Sequence, residues 1–133
     1  MAYKLERAIT ENIDLEVGSE TLHIAIGGVK MYRSVLESQA KLKDVQTKIE
    51  VLSKAGKEVT PELVNFLGET VLYLFEVAFG KENAEKILAF YEGNYDEMLM
   101  KVYPFFKNIF IPALKNNAKA ESKELAEKLA YDS

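Results

Sequence analysis

The sequence predicts a mainly α protein of the α+β class: a short amino-terminal β-hairpin followed by a bundle of about four to five helices. Three observations carry that reading. Apolar residues alternate at period two between Ile13 and Ile26, they recur at helical spacing along the rest of the chain, and Gly, Pro or Asn punctuates the joints between helical stretches. With 133 residues, 48% of them hydrophobic and 29% charged, residues 1–133 are expected to form a single domain around one core.

The hairpin is placed at about residues 13–26. Ile13, Leu15 and Val17 share one face, Gly18-Ser19-Glu20 supplies a turn, and Leu22, Ile24 and Ile26 resume the alternation before Gly27-Gly28 ends it. A first helix is expected over about 29–55. Met31, Val35, Leu42, Val45, Ile49 and Leu52 recur in steps of four and three or their sums, broken only by Ser38, which is a narrow stripe close to a coiled-coil seam. Glu37 with Lys41, Asp44 with Lys48 and Glu50 with Lys54 stand at i,i+4 in the favourable order, and Gly56 is the expected stop.

Thr60-Pro61-Glu62 announces a second helix, 61–79, with a capping hydroxyl, a first-turn proline and an acid at the positive end of the dipole. Its stripe of Leu63, Phe66, Leu67, Val71, Leu74, Phe75 and Ala78, widened by Val64, Leu72 and Phe79, predicts the central helix of the core. A short helix over 82–91 and another over 95–116 follow, separated by Gly93-Asn94, with Asn94 or Asp96 as the cap of the second. In that last stretch Leu99, Val102, Phe106, Ile109, Phe110, Ala113 and Leu114 keep helical spacing straight through Pro104, which favours a kinked helix over a new one. Asn116-Asn117 reads as its stop and Ser122 as the cap of a final charged helix, 122–130.

Composition narrows the function classes. Without cysteine there are no disulfides, thiolate metal sites or Cys nucleophiles, and the net charge of −4 gives no field for a phosphate backbone, so no nucleic-acid partner is expected. No apolar run reaches the length of a spanning helix or an export signal, so no membrane partner is expected and the location is read as cytoplasmic. His23, the single histidine, follows Glu20 at Glu-x-x-His spacing, but on a turn and strand rather than on facing helices, so no metal is assigned. No Ser or Thr has an imidazole base available in a nucleophilic motif, and no glycine pair belongs to a phosphate-cradling loop. The chain is therefore read as no enzyme, with no cofactor.

Protein interaction remains, with two candidate surfaces. One is the seam of Leu42, Val45, Ile49 and Leu52, which faces either a second copy or the chain's own core. The other is Phe105 and Ile111, which fall off the main stripe beside Pro104 and Pro112 and mark where core ends or a partner begins.

The stretch VAFGKENAEKIL, then FYEGNYDEMLMKVYPFF, resembles the tail assembly chaperones of long-tailed bacteriophages that infect Gram-positive bacteria. The matching residues are Phe79, Gly80, Ala84, Lys86, Ile87, Gly93 and Asn94, in a pattern of helix, Gly, short helix with Lys-Ile, Gly-Asn turn, helix. Where members often carry Leu-Gly-Glu-Gly, this chain has Phe79-Gly80-Lys81-Glu82. The resemblance implies a homo-oligomer in the host-cell cytoplasm that coats the tape-measure protein, recruits the major tail protein and leaves as the tail tube forms. The alternatives are a structural virion component of connector or tail-terminator type, and a small regulator of a host protein.

Overall fold

The computed structural model describes residue 2 and residues 11–131. The fold is mainly α with an amino-terminal antiparallel hairpin, as the periodicity predicts. Strands β1 (Glu11–Val17) and β2 (Glu20–Ile26) pair in register from Glu11 with Ile26 to Val17 with Glu20. That leaves Gly18-Ser19 as a two-residue loop, with Gly18 at φ +62, the glycine-first geometry that suits the twist of a hairpin. Leu22, Ile24 and Ile26 are buried, while Ile13, Leu15 and Val17 on the partner strand lie at the core's margin.

Helix α1 (Val29–Lys54) and helix α2 (Pro61–Phe79) form an antiparallel pair. Thr60 caps α2 by accepting a hydrogen bond from the Leu63 amide at 3.2 Å, as its side chain and the following proline predict. Of the three expected pairs on α1, only Glu50–Lys54 closes, at 2.7 Å. Lys41 instead lies over the Tyr73 ring, 5.7 Å from its centroid. Ser38, the break in the stripe, is buried and donates back to the Ser34 carbonyl at 3.0 Å.

Gly80 joins α2 directly to α3 (Lys81–Phe90) at φ +91 and ψ 149, a conformation essentially confined to glycine. Asn94, rather than Asp96, caps α4 (Tyr95–Phe105) by accepting from the Glu97 amide at 3.1 Å. A π-helical turn, Phe106–Phe110, then leads without interruption into α5 (Ile111–Tyr131). The stop expected at Asn116-Asn117 and the separate helix expected over 122–130 are therefore corrected: one helix runs from Tyr95 to Tyr131. Asn117 serves a different end, since its side-chain amide donates to the Ile26 carbonyl at 3.3 Å and ties the helix to β2.

The π turn has a reason in the side chains it serves. Met98, Val102, Phe106, Phe110 and Leu114 are the buried residues here, spaced at four every time. In an α-helix each step of four overshoots a full turn by about 40°, so such a row would wind out of the core. A wider turn, closed by the i→i+5 bond from the Ile111 amide to the Phe106 carbonyl, winds it back. Pro104 and Pro112 flank this turn and supply no amide hydrogen to an α ladder, which lowers the cost of departing from it. The same rewinding leaves Ile109, placed on the stripe by α spacing, about half exposed.

The core sits where α2 meets α3, α4, the π turn and the hairpin. Phe79 stacks on Phe75 at 5.2 Å and meets Phe110 edge-on at 5.2 Å, and Phe106 stacks on Phe110 at 5.8 Å. Each buried ring removes a large apolar surface from water, and edge-on and offset contacts add to that burial. Among the described residues no buried side-chain nitrogen or oxygen lacks a hydrogen-bond partner.

Candidate interaction surfaces

Chemistry is sparse among the described residues, and no group of His, Asp and Glu is placed to hold a metal ion. His23 Nδ1 lies 2.6 Å from Asp14 Oδ1, a cross-strand pair on the solvent face of the hairpin. The hydrogen bond and charge of Glu20, 2.8 Å away, raise the pKa of Lys86, and burial followed by the charge of Glu97 raises that of Tyr91. Lys86 joins α3 to the hairpin and Tyr91 closes α3, so both belong to the packing of the body. No helix among the described residues is long and apolar enough to cross a membrane.

The seam on α1 divides into two parts. Leu42 and Val45 are each only 3% exposed and belong to the core of the protomer, the second of the two readings open to this seam. Ile49 and Leu52, one and two turns further on, stay half-buried, and no residue between Val45 and Gly68 is fully buried. The far end of the α1/α2 pair thus stands clear of the core. Val51, Val64 and Phe66 are exposed there, Phe66 at 52%.

Beside this end an open groove of about 530 Å³ runs between α1 and α2, lined by Lys41, Asp44, Val45, Lys48, Phe66, Glu69, Thr70 and Tyr73. Its floor is apolar and its charges are balanced, two lysines against two acids. The sequence gives no sign that Phe66 is surface, because its position continues the stripe of α2. Tyr73 lies off that stripe, and its exposure is consistent with the pattern.

Phe105 and Ile111 are both half-buried and packed against the core cluster. The Phe105 ring lies 5.8 Å from that of Phe79. The π turn between them brings these two flanking positions to the core's margin, and the far end of α1/α2 is the more open surface.

The residues that carry the family resemblance turn out to build a corner. Phe79, Ala84 and Ile87 are buried, Gly80 and Gly93 take positive φ, Asn94 caps α4 and Lys86 bridges to Glu20. They position α3 between the central helix and the hairpin, and none of them lines the open groove. Comparison of the chain with models of protein families, with curated proteins and with solved structures yields no match in any of the three.

Proposed function

We propose that the protein is a tail assembly chaperone of a long-tailed bacteriophage, which acts by binding and not by catalysis. In this reading several copies hold the tape-measure protein in the host cytoplasm through the far end of the α1/α2 pair and recruit the major tail protein. The observation that carries the reading is an amphipathic helical pair whose seam continues past the core. Ile49, Leu52 and Phe66 offer apolar surface with no core beneath them, and a helical client pairs with such a seam by laying its own apolar face along it. The balanced rim of Lys41, Lys48, Asp44 and Glu69 also lets a second copy approach without net repulsion.

Co-expression with a tape-measure chain tests the role. The expected result is a co-purifying, oligomeric complex that is lost in Ile49→Glu and in Phe66→Glu while far-ultraviolet circular dichroism is unchanged. A strictly monomeric protein that ignores the tape-measure chain overturns it. Mass spectrometry of finished particles is expected to find the chain absent, and its presence there identifies a structural subunit instead.

A further inference from the structure

We propose that the face between α1 and α5, remote from the α1/α2 groove, docks an acidic amphipathic helix of a partner protein. Two adjoining pockets of about 540 and 480 Å³ share Val29, Arg33 and Ser122. Their apolar lining comes from Val29, Tyr32 and Leu36 on α1 and from Ala118 and Leu125 on α5. Leu36 and Leu125 are 43% and 58% exposed, so this surface has no cover among the described residues. No residue from Lys115 to Ala130 is fully buried, and the helix nevertheless continues across α1.

Charge identifies the occupant. Lys30, Arg33, Lys115 and Lys119 line the two pockets, all are exposed, and none forms an ion pair among the described residues. In a chain of net charge −4, four unpaired cations around an apolar floor are a local reversal of sign. The one acid among the described lining residues is already engaged: Glu121 accepts a hydrogen bond from the Val29 amide at 3.3 Å, at the start of α1. A ligand with an apolar stripe and flanking carboxylates meets both features at once, and an amphipathic helix presents them in that order. The chain's own first ten residues carry Lys4 and Arg7 against Glu6, so their charge does not complement the rim. The inference stands independently of the role proposed for the α1/α2 pair.

The test uses the full chain and a labelled synthetic peptide of about 18 residues, long enough to be helical, with leucines at i, i+3, i+4 and i+7 and glutamates on the flanks. Fluorescence anisotropy is expected to show saturable binding that weakens with salt and drops at least about tenfold when the glutamates become lysines. The same loss is expected in Arg33→Glu/Lys119→Glu and, more mildly, in Lys30→Gln/Lys119→Gln, with circular dichroism unchanged. Absent saturable binding, or equal binding of the acidic and basic peptides, overturns the proposal. Binding confined to a variant lacking residues 2–10 assigns the face to the chain's own amino-terminal segment, and capture of phosphatidylglycerol vesicles in place of the peptide assigns it to lipid. Either result also overturns it.

Discussion

The same two helices are core at one end and surface at the other. From Val35 to Val45 and from Gly68 to Phe79, α1 and α2 pack into one core with the hairpin, α3 and the π-turned helix, and the centre of the stripe is buried. From Ile49 through Phe66 the stripe continues with unchanged spacing and is never fully buried. Periodicity therefore reports which face of a helix is apolar, whereas burial depends on whether a third element arrives to cover it. In this protein the third element stops halfway along the pair.

Cavities give that contrast its largest measurable form. Phe106→Ala, in the aromatic cluster, is expected to cost roughly 3–5 kcal/mol in urea unfolding, and Leu52→Ala at the far end about 1 kcal/mol or less. Equal costs would mean that both ends belong to one core. Gly68 sharpens the boundary where α2 enters the body, because a Cβ there would lie 2.6 Å from Tyr95 Cδ2. Alanine gains about 1 kcal/mol over glycine in an exposed helix, yet Gly68→Ala is expected to lose about 1–3 kcal/mol through overpacking. A double-mutant cycle with Tyr95→Ala is expected to show the two residues coupled, and additive effects would place the cause elsewhere.

The smallest effect is a pH dependence of the body. Lys86, held by Glu20, and Tyr91, raised by burial, both keep their protons more tightly folded than unfolded. Their contribution is complete below the unfolded values of 10.5 and 10.0 and is lost as pH rises through the folded ones. The thermal midpoint is thus expected to fall above about pH 10. Lys86→Met is expected to remove the lysine's share of that fall. An identical alkaline profile in this variant would show that the Glu20 contact contributes nothing.

Local chemistry was the legible part of the fold. The hairpin, the Thr60-Pro61 start, the glycine joints and the Asn94 cap are each set by neighbours within a few residues, and each lies where the sequence places it. Asn117 was not legible, since a side-chain amide that often ends a helix here binds a strand carbonyl 91 positions away in sequence. Glu121 is similar: nothing in its charged surroundings marks it, yet it meets the open start of α1 across 92 positions. Of the candidate site, Ile49 and Leu52 were identifiable as seam, but the exposure of Phe66 follows from the absence of a covering element, which leaves no mark on its own neighbours in the chain.

Pro104, Pro112 and the wide turn between them also set a rotational phase. Deleting one residue within Phe106–Phe110 would restore α winding with everything beyond nearly in phase, because the wide turn holds one residue more than an α turn, whereas deleting Lys115 or Asn116 would rotate everything beyond by about 100°. Asn117 would swing off β2 and Glu121 off α1 together. One deletion in the loop between Lys54 and Pro61 merely shortens a connection. Length changes of equal size are thus read as torsion in one place and as slack in the other, and only the first reaches the hairpin at the opposite end of the chain.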